Sequence, residues 1–239
     1  MPIITIIGRG HSGTRAMSHT LYSSGVYMGQ TINPSGDKVP PQNLYNACRI
    51  FAKYVSWTGG LSWDFSQVLE MDLDPEFVDE METYLADVLA HQGSFRGWKL
   101  PETTLIYPWI VRMYPDIRYI HWIRDPRDGI LGTHKTDDLR KFGISYPATD
   151  DIRKQRAISW LYQYKLMKAT PKPKHLLTVK FEDFVLNQVE TLSSLESYLG
   201  VSLSQITVRK DSVGRWKTDS GNLHMDILRE AIEEIGYEV

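Results

Sequence analysis

The sequence predicts an α/β fold in three layers, a mostly parallel central sheet with helices on both faces. Three observations carry this. The segment Ile3-Ile4-Thr5-Ile6-Ile7 is a β-branched run that reads as a strand buried on both sides. Further short apolar runs then alternate with helical periodicities, as crossover connections require. At 239 residues with 42% hydrophobic content the chain can bury a substantial core. That length fits one domain, taken here as residues 1–239.

Gly8 ends the first strand, Arg9 to Gly13 make a tight loop, and Thr14 to Ser23 continue as a helix. Asn33 to Pro41 is rich in turn formers and reads as an ordered loop or lid. Asp74-Pro75-Glu76 opens a helix, with Asp as cap, Pro in the first turn and an acid that suits the helix dipole. Phe77, Met81, Tyr84, Leu85, Val88 and Leu89 share its apolar face. A second strand is predicted at Arg96 to Leu100, then a helix from Pro108 to Tyr114 and a third strand from Ile117 to Ile123. Asp125 caps a helix that starts at Pro126. A long amphipathic helix runs from Ile152 to Lys168. Pro171 and Pro173 break the chain before a fourth strand, His175 to Phe181. Another helix, about Gln188 to Leu199, stops at Gly200.

Composition excludes several classes. Lys+Arg 27 against Asp+Glu 29 gives a formal charge of -2, which argues against a general nucleic-acid binder. The single cysteine, Cys48, can form neither an internal disulfide nor a cysteine-based zinc site. No apolar run approaches the ~20 residues of a membrane span. With strand residues beginning at Ile3 and no leader before them, the expectation is a soluble, cytoplasmic protein.

Gly8-Arg9-Gly10-His11-Ser12-Gly13-Thr14-Arg15 spaces two glycines as in the nucleoside-triphosphate loop G-x-x-x-x-G-K-[ST]. Backbone N–H groups and a helix N-terminus converge there as an anion cradle. Thr14 stands where the lysine belongs, and Arg15 where the magnesium-binding hydroxyl belongs. An ordinary kinase or ATPase is disfavoured, and the loop suits one phosphate without a tightly held Mg²⁺.

This loop resembles the 5′-phosphosulfate loop of sulfotransferases that use 3′-phosphoadenosine 5′-phosphosulfate (PAPS). Gly13-Thr14-Arg15-Ala16-Met17 is similar to the G-T-R-A-L stretch of heparan-sulfate sulfotransferases. Lys99-Leu100-Pro101 resembles the K-x-P element at a strand end. Tyr114-Pro115-Asp116 to Ile123-Arg124-Asp125-Pro126-Arg127-Asp128 resembles the F-P-D…I-x-R-D-P-R-D segment. Phe181-Glu182-Asp183-Phe184 to Tyr198-Leu199-Gly200 resembles Y-E-D-L…F-L-G. Arg209-Lys210-Asp211-Ser212-Val213-Gly214-Arg215-Trp216-Lys217 is similar to the R-K-G-x-x-G-x-W-K stretch of cytosolic enzymes. Five elements in the family's order cover about residues 3 to 220 and imply a P-loop sulfotransferase domain.

The resemblance implies roles. Gly10, His11, Ser12, Gly13, Thr14 and Arg15 would hold the 5′-phosphate, with Arg15 alternatively turned toward an anionic acceptor. Arg124, Arg209 and Lys210 would take the 3′-phosphate, with Arg215 and Lys217 as lesser candidates. Lys99 would meet the bridging oxygen, and no metal is required. His11 replaces the family's usual Lys or Arg beside the sulfuryl group. Gly132 stands at the family's serine, so neighbouring Thr133 becomes the candidate hydroxyl. A general base is missing from its usual places, Pro101 and Asn33. Asp37 is the nearest carboxylate, and Glu102 the fallback. His19 is expected packed in the first helix and His121 within its strand.

Tyr45, Tyr54, Trp57 and Trp63 could form an acceptor wall or simply pack the core. Between Lys53 and Arg96 there is no Lys or Arg but nine Asp or Glu, which favours a small or neutral acceptor over a polyanionic glycan. The expected activity is sulfuryl transfer from PAPS to a hydroxyl, less readily an amine, of a sugar or small molecule. Two alternatives stand beside it: a non-catalytic relative that binds the product nucleotide, 3′-phosphoadenosine 5′-phosphate (PAP), and a nucleotide or metabolite kinase.

Overall fold

The computed structural model describes residues 3–239. Strand β1 (Ile3–Ile7) leads through the loop into helix α1 (Thr14–Ser23). A turn-rich stretch reaches α2 (Gln42–Ala52), the hairpin strands β2 (Ser56–Gly59) and β3 (Ser62–Asp64), and helices α3 (Ser66–Glu70) and α4 (Pro75–Ala90). Then follow β4 (Arg96–Lys99), a 3₁₀ turn, α5 (Tyr107–Met113), β5 (Arg118–Ile123) and the short α6 (Pro126–Gly129). The chain closes with α7 (Ile152–Ala169), β6 (Leu176–Lys180), α8 (Phe181–Leu186), α9 (Gln188–Leu199) and α10 (Met225–Glu234).

Strands β4, β1, β5 and β6 lie side by side in that order, all parallel. Ile6 registers with Lys99 on one side and Ile120 on the other. All four carboxyl ends therefore open on one edge. From β1 the chain moves to β4 on one flank, then crosses back to β5 on the other. Loops leaving β1 and β5 diverge at such a reversal and leave a crevice between them.

Both faces of β1 are closed, which explains its unbroken β-branched sequence. Ile4 and Ile6 pack with Met17 and Leu21 of α1 and with α8 and α9. Ile7, on the opposite face, joins a larger core with α2, α4, α5, α7 and α10. Each fully buried isoleucine contributes about 1.5–3 kcal/mol relative to an exposed one. The expected three-layer arrangement is observed. Among the described residues, no helix is long and apolar enough to cross a membrane.

Local chemistry sets the boundaries. Asp74 accepts from Glu76 N at 2.8 Å and Asp151 from Arg153 N at 2.9 Å, so α4 and α7 start at capped positions. Gly200, with φ 70°, ends α9. Helix α1 differs: Gly13 at its N-cap has φ 83°, no side chain caps it, and its first turn holds no acid. Its leading N–H groups are left for a ligand or water.

Two expectations need revision. The helix opened by Pro126 lasts only to Gly129, because two arginines claim the following carbonyls: Arg9 takes Gly129 O at 3.0 Å, and Arg156 takes Ile130 O at 3.1 Å and Leu131 O at 3.2 Å. The predicted helix over 108–114 begins as a 3₁₀ turn at Pro101 and becomes α-helical at Tyr107. Helix α2 was not anticipated, although Leu44, Ala47, Cys48 and Phe51 recur at helical spacing and are buried.

Candidate active site

The loop after β1 is shaped by contacts that exclude side chains. A Cβ on Gly8 would lie 2.5 Å from Trp122 O, and one on Gly10 would fall 2.0 Å from His134 Cγ. Gly13 combines its positive φ with the Phe181 ring 2.4 Å from where a Cβ would sit. Arg9 works from behind: it is buried, ion-paired to Asp137, and donates to Gly10 O at 3.0 Å. The sequence reading gave Arg9 no role, because nothing adjacent signals that its partner lies 128 residues away.

A cleft of about 820 Å³ opens above this loop, at the carboxyl ends of β1, β4 and β5. Gly10, His11, Gly13, Thr14 and Arg15 line one part; Lys99 and Asp37 line another; Arg124, Arg209 and Arg215 a third. Five Lys or Arg and one acid, Asp37, line it, so the cleft is cationic although the chain as a whole is not. Four residues expected in the site lie off its wall, Lys217 among them, exposed on the 3₁₀ turn Arg215–Thr218. Ser12 is buried and faces the small crevice behind the loop. Thr133 lies beyond the end of α6 and its hydroxyl accepts from Arg156 at 2.5 Å. Lys210 is exposed on its 3₁₀ turn.

Lys99 is the last residue of β4 and is 2% exposed. Its Nζ donates to Ser35 O at 2.8 Å and pairs with Asp37 Oδ1 at 2.5 Å. Burial lowers the ammonium pKa, and Asp37 opposes that shift. Asp37 is placed by Asn33, whose Oδ1 accepts from Ser35 N at 2.8 Å and Asp37 N at 3.0 Å while its Nδ2 donates to Asp37 Oδ2 at 3.1 Å. The turn-rich segment is thus an ordered wall. Ser18 Oγ binds Gly36 O at 2.7 Å, and buried Lys38 pairs with Asp87 at 2.9 Å.

Arg124 leaves the end of β5 with its guanidinium over the Phe181 ring, 4.6 Å from the centroid. It donates to His11 O at 3.0 Å, to Asp128 Oδ2 at 3.2 Å and to Ser212 O. Asp128, 2% exposed, also accepts from Gly214 N at 2.8 Å and Trp216 N at 2.9 Å. Arg127 forks onto Asp125 and stacks on Trp216 at 3.7 Å. These bonds dock the 209–217 segment against α6 and bring Arg209, Ser212 and Arg215 to the cleft.

His11 holds a left-handed conformation, φ 62°. Desolvation lowers its pKa below 6.5 against an opposing hydrogen bond to the Thr133 backbone, with Arg9 and Arg124 adding to the lowering, so it is largely neutral at pH 7. A Cβ on Gly132 would lie 2.3 Å from His11 Nδ1. His11 and Gly132 are therefore sterically coupled: the imidazole fills the space that a side chain at position 132 would need.

Other expectations are corrected. Glu102 is 1% exposed and does not line the cleft. Burial pushes its carboxyl up to about 7, and its near polar contact is Tyr45 Oη at 3.4 Å. None of the four aromatics lines the cleft. Trp63 is packed edge-on against Tyr162, Tyr54 binds Asp74 at 2.7 Å, Tyr45 faces Glu102 and Lys135, and Trp57 is exposed on the hairpin. His19 lines the cleft, with Nε2 3.2 Å from Pro34 O, while His121 is half-buried in β5, where desolvation lowers its pKa to about 4. His134, given no role from sequence, also lines the cleft. Its only sequence signal was its place shortly after the strand-end arginine. Among the described residues, no three His, Cys, Asp or Glu side chains converge as a metal site.

A cationic cleft at the switch point of a parallel sheet, with an uncapped helix N-terminus, defines an anion-binding α/β protein. The sulfotransferase family profile matches residues 2–205, and the chain belongs to that family. Solved structures share the fold. The sulfotransferase domain from the curacin biosynthetic pathway is similar at 15% identity, TM-score 0.61, covering 100% of this chain and 99% of the other. A sulfotransferase domain from the Synechococcus PCC 7002 olefin synthase (15%, 0.55, 100% and 96%) and a sulfotransferase from Alicyclobacillus acidocaldarius (15%, 0.55, 100% and 97%) are also similar. No curated protein sequence matches.

Two predictions follow from the packing. Gly132→Ser should destabilise by about 1–3 kcal/mol through collision with His11, and His11→Ala should relieve most of that cost. Urea unfolding of the two single variants and the double variant measures this; strictly additive costs would show that the positions do not share space. For Glu102, the folded state holds a proton between its ordinary value of 4.5 and about 7 that the unfolded chain releases. Stability should therefore fall as pH rises through that window. Glu102→Gln should match the wild type near pH 4.5 and exceed it by ~3 kcal/mol above pH 7. A pH-independent difference in urea midpoints would refute this.

Proposed function

We propose that the chain is a PAPS-dependent sulfotransferase that modifies a hydroxyl of a small-molecule or carbohydrate acceptor. One observation carries the reading: a single cleft gathers the open N-terminus of α1, buried Lys99 with its carboxylate partner, and Arg124 braced by Asp128. The donor set fits a nucleotide bearing two anionic groups. The uncapped Gly13–Arg15 turn suits one, and Arg124 with Arg209, Ser212 and Arg215 suits the other.

PAPS, when bound, supplies an activated sulfuryl group that passes to an acceptor oxygen and leaves PAP. In this reading the Gly10–Arg15 backbone and the Thr14 hydroxyl hold the 5′ end, and Arg124, Arg209 and Arg215 the 3′-phosphate. Lys99 stabilises charge that develops on the bridging oxygen. Asp37, held by Asn33 at the same wall, takes the acceptor's proton. His11, neutral and beside Arg124, contributes one N–H or one acceptor rather than a cation. The scheme uses no metal and no covalent enzyme intermediate.

Calorimetric titration should show tight binding of PAP that ADP and ATP–Mg²⁺ do not reproduce; preference for ATP–Mg²⁺ would reopen the kinase alternative. Arg124→Ala should weaken PAP binding by roughly 2–5 kcal/mol, and an unchanged dissociation constant would remove it from the site. Lys99→Ala should leave PAP affinity within several-fold yet lower kcat about 10²-fold or more, measured with an acceptor found by screening with labelled PAPS. Near-normal turnover would end the role given to Lys99.

A further inference from the structure

The histidine behind the loop has a geometry that the roles above do not use. His134 sits five residues past the end of α6, and its ring lies against the phosphate-loop backbone at Gly10, where no Cβ could fit. The ring is edge-on to His11, centroids 6.2 Å apart, and faces the same cleft.

Its orientation is fixed at every other atom. The backbone N–H donates to Asp137 Oδ2 at 2.7 Å, inside a capping box. Nδ1 accepts from Thr136 N at 3.2 Å and lies 3.0 Å from Thr136 Oγ1. A nitrogen that accepts a backbone N–H carries no proton, so the neutral ring bears its hydrogen on Nε2. Among the described residues, Nε2 has no protein partner. Burial, then Arg9, His11, Lys99 and Lys135, push the imidazole pKa down to about 3. Asp137, the nearby carboxylate, is already engaged by Arg9, Arg156 and the His134 backbone. The ring therefore cannot serve as a cation, and its free N–H is a neutral donor with a single tautomer.

We infer that His134 is a further catalytic residue, whose Nε2–H donates to a non-bridging oxygen of the sulfuryl group in transit. This rests on the PAPS reading above. The donor needs no reorganisation when charge shifts onto those oxygens, because Thr136 and Gly10 hold the ring beforehand. It also complements His11. Where a lysine would bring a point charge, the neutral His134 ring supplies a directional donor. The proton on Nε2 stays on His134 throughout.

Two experiments test this without depending on turnover alone. In nitrogen-15 histidine-labelled protein, with His134→Gln used to assign the signal, His134 should remain the neutral Nε2–H tautomer from pH 5 to 8. Its Nε2 resonance should shift on adding PAPS and much less on adding PAP. By calorimetry, His134→Leu should leave the PAP dissociation constant within about threefold and weaken PAPS about tenfold. Its kcat should fall on the order of 10²-fold, the loss seen when one preorganised donor is removed. His134→Gln, which restores an N–H near the Nε2 position, should recover part of both losses, a rescue that a merely structural role would not give. Equal weakening of PAP and PAPS, an imidazolium signal at pH 6, or no loss in His134→Leu would overturn the assignment. Should the wild type bind neither nucleotide, the PAPS reading falls and takes this with it. If it binds both, only the role of His134 is at stake.

Discussion

The cleft depends on one buried carboxylate. Asp128 receives the Arg124 guanidinium together with the backbone N–H groups of Gly214 and Trp216. A lone anion at 2% exposure would be costly, but Arg124, four residues before it, and two backbone N–H groups of one distant segment satisfy it. The same bonds fix the Arg124 guanidinium and anchor a segment nearly ninety residues downstream. Val213 packs on the core and Trp216 stacks on Arg127, while residues 209–211 and 215 are exposed, so Asp128 supplies the polar anchor of the segment. Without that anchor, the cationic wall would lose its geometry before it lost its charge. Arg9 and Asp137 repeat this logic behind the β1 loop. In both places a buried ion pair holds backbone around an anion site and leaves other cations free to meet a ligand.

Much of this architecture is legible in the sequence because its determinants are local. The Ile3–Ile7 run, Asp74 before Pro75, Asp125 before Pro126 and Gly200 each announce an element boundary within a few residues. Lys99 and Arg124 are legible for a related reason: each ends a parallel strand, and strand ends converge at the switch point whatever the loops do. The features that escaped are non-local. The role of His134 emerges only when Gly10 lies against its ring, and Thr136 fixes its tautomer from two residues away. Glu102 reads as an accessible loop acid beside Lys99, yet the 3₁₀ turn from Pro101 swings it into the core. Thr133 seemed to sit on a helix that Arg9 and Arg156 had already ended.

The contact between His11 and Gly132 links the two departures that the resemblance implies. Each substitution by itself looks like damage, a lost cation and a lost hydroxyl. The two positions are coupled in space, since the imidazole lies within 2.3 Å of the place a Cβ at position 132 would take. The consequence is electrostatic. A lysine there would add to Arg124 and Lys99 in a cleft with one carboxylate, whereas a neutral ring keeps the positive potential from rising further.

That restraint bears on the pair of Lys99 and Asp37. In the free chain their charges largely cancel, which lowers the cost of keeping an ammonium at 2% exposure. Under the proposed mechanism, proton transfer from the acceptor to Asp37 neutralises the carboxylate and leaves Lys99 uncompensated. The cation becomes most effective as negative charge gathers on the bridging oxygen, so the pair stabilises the transition state more than the ground state. A permanent second cation at position 11 would blunt that contrast by holding the anionic donor strongly from the outset. On this proposal, a neutral donor from His134 and a lysine whose charge is masked until the proton moves form one design. It favours the changing charge of the transferred group over simple attraction to the nucleotide.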